Sequence, residues 1–299
     1  VPTPAIAYLV GKYNCAAGVM ISASHNPSEY NGIKIFQSTG YKLPDSVEEQ
    51  IENIILSSSD KIELKAGGGV GRRTYCKTAV EDYIEHVVSA ADVRFDGINM
   101  AIDTANGSAS VCAKEILTRL GAKCHMLSDT PDGENINLNC GSAHMQEICD
   151  FVKANKLDLG VAFDGDADRM LAVDSNGEIV DGDKIIAICA TQMKQENKLA
   201  KNTAVVTVMS NMGFFKFCEE NSINCARTAV GDRYVLERML KDGYNIGGEQ
   251  SGHVIFLDYA TTGDGELSAV KLIEAVVKSG ASLEQLSRVM TVYPQVLIN

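Results

Sequence analysis

The chain has 299 residues, 45% of them hydrophobic and 22% charged, which is typical of a folded globular protein with room for two or three domains. Its 27 basic and 39 acidic residues give a net charge of -12, which argues against nucleic acid or an anionic membrane as a partner. Nine scattered cysteines include no C-x-x-C pair, which disfavours a disulfide framework and structural zinc and fits a reducing cytoplasm.

Short apolar strands alternate with helices along the chain. The N-terminal segment is similar in outline, from a strand-like stretch at 5–10 through the apolar stretches at 16–21 and 31–36. Residues 98–127 then predict a strand, a small polar loop, a helix and another strand, and 204–228 repeats that order. This alternation favours tandem three-layer α/β domains with mixed sheets, whose functional loops lie beyond the carboxyl ends of the strands.

Domain boundaries follow from the helices and connectors. The glycine-rich stretch 65–73 does not match a nucleotide-binding fingerprint and is interpreted as a connector. A helix over 78–91 is expected to end the first domain, and a last helix is predicted over 264–280 with Asp264 as its N-cap and Gly280 as its stop. The predicted domains span residues 1–91, 92–179 and 180–299.

Three aspartates alternate between two apolar runs, at Asp164, Asp166 and Asp168. In a turn, this spacing can bring three carboxylates onto one cation, and oxygen ligands of this kind suit Mg²⁺. An EF-hand is excluded, because Arg169 and Ser175 stand where that motif needs glycine and glutamate. Two alternatives stay open: a solvated acidic turn, and the Asp-x-Asp nucleophile motif of haloacid-dehalogenase-type phosphatases.

Two further polar stretches are candidate functional loops. One is ISASHNP at 21–27, which is either a polar turn or a loop that presents a serine for chemistry. The other is GGEQSGHVIF at 247–256, which glycines flank as they would an ordinary turn. Neither stretch is specific when taken alone.

Together, these loops resemble the α-D-phosphohexomutase superfamily in their order and spacing. The stretches VPTPAIAYL, DTANGSAS, INLNCGSAH and VGDRYV are similar as well, and the resemblance covers essentially the whole chain. Gln250 in the last loop is most similar to the branch of the superfamily that acts on glucosamine phosphates. The resemblance implies an enzyme that interconverts glucosamine 6-phosphate and glucosamine 1-phosphate through a phosphoserine and a bisphosphorylated sugar. A phosphomannomutase or phosphoglucomutase, or a non-catalytic fragment that only binds, are the alternatives.

The resemblance also implies roles for single residues. Ser24, directly before His-Asn-Pro, would be the phosphorylated serine and a ligand of Mg²⁺ beside the three aspartates. The other catalytic residues would be His25, Lys34 as general acid/base, and Arg169. The substrate-binding residues would be Glu249, Ser251 and Arg233.

The resemblance further implies a phosphorylated amino sugar as partner, a place in UDP-N-acetylglucosamine synthesis, and room for a homodimer. The family's N-terminal Gly-Thr-Asp-Gly segment and its C-terminal domain with an Arg-Pro-Ser-Gly-Thr phosphate-binding loop are absent from these 299 residues. We therefore expect the chain to be part of a longer protein. We also expect slow turnover when it is assayed alone, because in the family the C-terminal domain grips the distal phosphate of the substrate.

Overall fold

The computed structural model describes residues 1–57 and 62–296, which form three β-sheets flanked by helices. The helices are α1 Thr3–Lys12, α2 Asp45–Ser57, α3 Ala79–Ser89, α4 Ala113–Arg119, α5 Gln146–Ala154, α6 Gly182–Gln195, α7 Met212–Glu220, α8 Asp232–Asp242, α9 Gly265–Ser279 and α10 Leu283–Leu286. The strands are β1 Ala17–Ile21, β2 Ile33–Gln37, β3 Asn99–Asp103, β4 Lys123–Leu127, β5 Leu159–Phe163, β6 Met170–Asp174, β7 Ile179–Val180, β8 Thr203–Thr207, β9 Asn224–Thr228, β10 Ile246–Gly248 and β11 Val254–Phe256. Within these ranges, none of the helices combines the length and the apolar character that crossing a bilayer requires.

The N-terminal unit is the antiparallel pair β1–β2 with α1 packed on one face. The apolar stretches at 16–21 and 31–36 correspond to β1 and β2. The strand predicted over 5–10 is wrong, because those residues lie inside α1. A short apolar run does not distinguish a buried helix from a strand. The prolines carried the missing signal, since Pro2 is the N-cap of α1 and Pro4 lies in its first turn, where no N–H is needed.

The middle sheet has the strand order β4-β3-β5-β6-β7. Strand β3 runs parallel to β4 and β5, whereas β6 is antiparallel to β5, so the sheet is mixed as predicted. The strand, helix and strand predicted over 98–127 are confirmed as β3, α4 and β4. Phe163 pairs with Met170 across the β5–β6 turn, so the six residues that carry the aspartates form a tight loop at the carboxyl end of β5.

The third sheet has the order β11-β10-β8-β9, with β8 parallel to both β9 and β10 and with β11 antiparallel to β10. The elements predicted over 204–228 are confirmed as β8, α7 and β9. The last predicted helix is confirmed as α9, with Asp264 accepting the Leu267 N–H at 2.9 Å and Gly280 at a left-handed φ of 68°. The loop 249–253 follows the carboxyl end of β10 and returns the chain as β11.

The first turn of α9 supports the aspartate loop from behind. The Gly265 N–H donates to the Ala167 carbonyl oxygen at 3.0 Å. A Cβ at Gly265 would lie 2.7 Å from the Arg169 carbonyl oxygen, so the helix can approach the loop this closely only with glycine. Asp264 also accepts hydrogen bonds at 2.9 and 3.0 Å from the Tyr83 hydroxyl on α3. The loop is therefore braced by elements distant in sequence.

Glu266, in the same turn, has a buried side chain that makes stability depend on pH. The Cys112 thiol donates to Oε1 at 3.0 Å, and Oε2 has no hydrogen-bond partner. Burial, and then the charge of Asp264, raise the pKa of Glu266 to about 8. Because the carboxyl of the unfolded chain has an ordinary pKa near 4.5, the folded state holds its proton longer and loses stability as the pH rises from that value to about 8.

We expect Glu266→Gln to remove this loss. Relative to the wild type, the free energy of unfolding of the variant should rise by more than about 1 kcal/mol between about pH 5 and about pH 8, since one pKa unit is worth about 1.4 kcal/mol. Urea denaturation at both pH values measures the difference, with the exposed Glu134→Gln as control. A difference between Glu266→Gln and wild type that stays constant with pH would contradict the assignment.

Candidate active site

The loop between β5 and β6 gathers three buried carboxylates. The side chains of Asp164, Asp166 and Asp168 are 1%, 0% and 5% exposed, and one oxygen of each lies within 4.8 Å of the others. The convergence predicted from their alternating spacing is therefore confirmed. The alternative of a solvated acidic turn is wrong, because the carboxylates are shielded from water.

Like charges this close resist simultaneous ionisation. Burial, and then the charges of Asp168 and Asp166, raise the pKa of Asp164 far above its usual range. Burial also disfavours the charged form of Asp168, but His253 and then Lys34 outweigh it and hold the pKa of Asp168 well below its usual range. The loop thus combines a carboxylate that resists ionisation with one that is held ionised.

Two oxygens of the cluster, Asp166 Oδ1 and Asp168 Oδ1, are buried without a hydrogen-bond partner. Buried polar atoms are nearly always satisfied in folded proteins, so bare carboxylate oxygens need an explanation. Here they lie beside Asp164 in a set of hard oxygen donors, which is the ligand type that Mg²⁺ takes. The residues present therefore fit a divalent cation.

Lys34 reaches this cluster from β2. Its Nζ contacts the Asp166 carboxylate and lies 3.1 Å from Asp168 Oδ2. Burial disfavours the charged amine, but Asp168 and then Asp166 outweigh it and raise the pKa of Lys34 above its ordinary value. The amine therefore stays protonated, and the prediction that a strand directs Lys34 into the site is confirmed.

Ser24 is the serine that touches the aspartates. Its Oγ donates to Asp164 Oδ2 at 2.9 Å, and its backbone has a left-handed φ of 56°. Ser22 lies two residues earlier, and its Oγ accepts a hydrogen bond from the Ser24 N–H at 3.1 Å. The structure thus separates a serine that faces the acidic cluster from one that supports the turn.

Arg169 and His25 lie side by side next to this serine. The Arg169 N–H donates to Asp164 Oδ1 at 3.1 Å, and its Nη1 is 3.3 Å from His25 Nδ1. Burial, and then the charge of Arg169, lower the pKa of His25, so the imidazole is neutral at neutral pH. The buried Arg169 Nε has no partner, which leaves a donor in the site for an anion.

The loop 249–253 borders the aspartate loop. Glu249 Oε1 accepts the Gly231 N–H at 3.1 Å, and Ser251 is exposed. Gln250 turns away, and its Nε2 donates to Oδ2 of Asp181 at 3.1 Å. The middle residue of the loop therefore ties it to the N-terminus of α6 and shapes it from outside.

His253 connects the two loops. It is 2% exposed, with Nδ1 3.7 Å from Asp168 Oδ2 and Nε2 3.4 Å from Asp232 Oδ2. Its Nε2 also accepts the Gly263 N–H at 3.1 Å, which places the ring proton on Nδ1, toward Asp168. The histidine thus supports the aspartate cluster as well as its own loop.

Arg233 is a predicted site residue whose ion pairs lie outside the aspartate loop. Its guanidinium pairs with Asp45, and its Nε lies 3.3 Å from Glu237 Oε1. These partners are on α2 and α8, so the contribution of Arg233 to sugar binding stays a prediction.

Thr3, Asp232 and Asn137 contact the site but were missed in the sequence. Thr3 donates its N–H to the Asp166 carbonyl oxygen at 3.0 Å and its hydroxyl to Asp166 Oδ2 at 2.9 Å. Asn137 donates to the backbone around Ser24. The available signals were a threonine between two prolines and an asparagine in a polar run, and neither identifies a partner more than 100 residues away.

Family profiles match most of the chain in order. The profile for phosphoglucomutase/phosphomannomutase alpha/beta/alpha domain I matches residues 1–61, that for domain II 81–177, and that for domain III 181–293. The chain belongs to the phosphoglucomutase/phosphomannomutase family. Within it, the chain is 50% identical over 299 residues to the phosphoglucosamine mutase of Clostridium novyi (strain NT), an alignment that covers 100% of this chain and 67% of that enzyme.

Solved structures share the fold. A phosphoglucomutase/phosphomannomutase family protein from Burkholderia thailandensis superimposes with a TM-score of 0.81 at 22% identity, over 99% of this chain and 64% of the other. An N-acetylphosphoglucosamine mutase from Aspergillus fumigatus, crystallised with GlcNAc-6P and magnesium, gives a TM-score of 0.67 at 16% identity, over 98% and 77%. The chain thus spans about two thirds of the length of its bacterial relatives.

We expect Asp166→Asn to weaken Mg²⁺ binding at least about tenfold and to leave the fold intact, because a neutral amide replaces one of three charged ligands. Titration calorimetry measures the affinity, and the melting temperature reports the fold. The control is Asp129→Asn, which removes the same charge from an exposed loop. Unchanged Mg²⁺ affinity in Asp166→Asn would exclude this carboxylate from the metal site.

Proposed function

We propose that the chain carries the phosphoryl-transfer centre of a phosphoglucosamine mutase, which interconverts glucosamine 6-phosphate and glucosamine 1-phosphate. The observation that supports this most is the contact between Ser24 Oγ and Asp164, 2.9 Å long, in a carboxylate cluster that fits a divalent cation. The 50% identity to a phosphoglucosamine mutase supports the choice of sugar. The resting state would carry a phosphoryl group on Ser24.

The reaction transfers this phosphoryl group twice. The bond from phosphorus to Ser24 Oγ breaks as a bond to the sugar 1-hydroxyl oxygen forms, which gives a bisphosphorylated sugar. After this intermediate turns round, the bond from phosphorus to the sugar 6-oxygen breaks and Ser24 Oγ takes the group back. Little covalent chemistry is left to the protein, so positioning and charge dominate.

The charges of the cluster suit an incoming phosphate. Asp164, Asp166 and Asp168 would hold Mg²⁺, together with an oxygen of the phosphorylated Ser24. When bound, this metal supplies positive charge that polarises the phosphorus. Three carboxylates are then balanced by Mg²⁺ and Arg169, so the site accepts an anion that it would otherwise repel.

Lys34 would move the proton. Its ammonium lies beside the aspartate loop, so it would donate a proton to the oxygen that leaves phosphorus, and the amine would recover a proton from the attacking hydroxyl. Glu249 and Ser251 would read the sugar, since their oxygens suit ring hydroxyls and the amino group. The Aspergillus structure with GlcNAc-6P and magnesium is consistent with this class of ligand.

We expect Ser24→Ala to abolish labelling of the protein by glucose 1,6-bisphosphate, because it removes the acceptor oxygen. Ser22→Ala is the matched control, and it should be labelled more slowly but completely, since it loses only one hydrogen bond to the turn. Each protein is first dephosphorylated at Ser24; intact-mass spectrometry then detects the gain of one phosphoryl group, and peptide mapping locates it. A label on Ser22 would refute the assignment of Ser24.

The preference for an amino sugar is tested separately. We expect the full-length protein to have a kcat/KM at least about tenfold higher for glucosamine 6-phosphate than for mannose 6-phosphate. A tenfold ratio corresponds to a difference of about 1.4 kcal/mol in transition-state stabilisation between the two sugars. Coupled assays with both sugars measure it. Equal values would favour a general hexose phosphate mutase, the alternative that the family leaves open.

A further inference from the structure

The side chain of Asn137 clamps the backbone of the Ser24 loop. Its amide Nδ2 donates to the Ser24 carbonyl oxygen at 2.8 Å and to the Asn26 carbonyl oxygen at 2.9 Å. Asn137 is 7% exposed and is itself fixed by its N–H, which donates to the Ala105 carbonyl oxygen at 2.9 Å. A rigid, buried donor of the middle domain thus holds a loop of the N-terminal unit.

Gly165, in the aspartate loop, lies against the same Ser24 carbonyl group. A Cβ at Gly165 would lie 2.5 Å from the Ser24 carbonyl oxygen and 2.9 Å from Asn137 Nδ2. The Ser24 carbonyl is therefore enclosed between the aspartate loop and the Asn137 amide. No bulkier residue at 165 would allow the two loops to meet in this way.

Ser24 needs such a restraint. Its φ of 56° lies in the left-handed region, which residues with a side chain seldom occupy unless the surrounding structure holds them there. Within residues 1–57 and 62–296, the backbone of 23–27 receives hydrogen bonds from a side chain of another domain only at the two carbonyls that Asn137 binds. The remaining bonds to this backbone stretch are local, such as Ser22 Oγ to the Ser24 N–H.

We propose that Asn137 is a positioning residue for phosphoryl transfer, and that it holds Ser24 in the conformation that directs Oγ to Asp164. This inference rests on the proposed function, since it gives the clamp a role in that reaction. Ser24 Oγ gives up the phosphoryl group in one step and takes it back in the next. The direction in which Oγ points must therefore be fixed by contacts that are the same with and without the phosphoryl group. Asn137 meets this condition, because it binds the backbone and leaves the hydroxyl free.

The effect should appear in the rate of transfer and leave binding unchanged. Asn137 contacts the backbone of the Ser24 loop, and its side-chain amide protons are donated to the carbonyl oxygens of Ser24 and Asn26. Its loss would let Ser24 relax from the left-handed conformation and turn Oγ away. A displacement of about 1 Å in a reacting group can slow a reaction roughly a hundredfold.

Asn139 provides a matched control. It belongs to the same loop and is exposed, and its left-handed φ of 54° is close to the 57° of Asn137. Glycine accepts this φ at both positions, so Asn137→Gly and Asn139→Gly introduce no backbone strain. Asn137→Asp and Asn139→Asp form a second pair that keeps the size of the side chain, while a carboxylate at 137 cannot donate to the two carbonyls.

The experiment uses the full-length protein dephosphorylated at Ser24 and measures phosphoryl transfer from glucose 1,6-bisphosphate to Ser24 in single-turnover mass spectrometry. The values of kcat, KM and the Mg²⁺ affinity of the dephosphorylated protein are measured alongside. Asn137→Gly should slow transfer and lower kcat roughly ten- to a hundredfold, with KM and Mg²⁺ affinity within about twofold of wild type. Asn139→Gly should match the wild type in all four. If Asn137→Gly does not fold, Asn137→Asp compared with Asn139→Asp decides by the same criteria.

Transfer in the Asn137 variants as fast as in their Asn139 partners would overturn the inference. So would a loss confined to KM or Mg²⁺ affinity, since the clamp would then serve binding. A wild-type protein that never labels Ser24 would instead refute the proposed function, so the two failures are distinguishable.

Discussion

Three buried carboxylates in one tight loop are the constraint on which the rest of the site depends. Their mutual repulsion means that the loop between β5 and β6 is stable only with positive charge and donors around it. Lys34 supplies an ammonium, His253 faces Asp168, and Thr3 donates to Asp166. Even so, two carboxylate oxygens remain bare, which is the feature that points to a metal ion.

The contacts that relieve this repulsion also join the domains. Lys34 and Ser24 come from the N-terminal unit, the aspartates from the middle sheet, and His253 from the third sheet. The ionised aspartates are therefore stabilised only when all three units are packed together. The charges of the loop and the arrangement of the domains depend on each other. The Met170 N–H, which donates to the Gly252 carbonyl oxygen at 3.0 Å, adds a backbone link between the first residue of β6, directly after the aspartate loop, and the loop 249–253.

Local patterns predict the features that depend on neighbours in sequence. The three aspartates at 164, 166 and 168 alternate with small residues between two apolar runs, and this pattern predicts both the turn and the convergence of the carboxylates. The helix at 264–280 is predicted from an N-cap residue at its start and a glycine at its end. The strand expected at 5–10 failed because an apolar run suits a buried helix equally well. Long-range pairings, such as Asn137 with Ser24 across 113 positions, depend on the packing of separate domains, and no periodicity encodes them.

The central claim is that the aspartate loop and Ser24 form one cation-dependent site. Anomalous diffraction from crystals grown with Mn²⁺, which takes the same oxygen ligands as Mg²⁺, tests it most directly. The account predicts a strong anomalous peak bounded by Asp164, Asp166 and Asp168, next to Ser24. An aspartate loop without a peak, with the Lys34 ammonium still paired to Asp166 and Asp168 at saturating Mn²⁺, would contradict it.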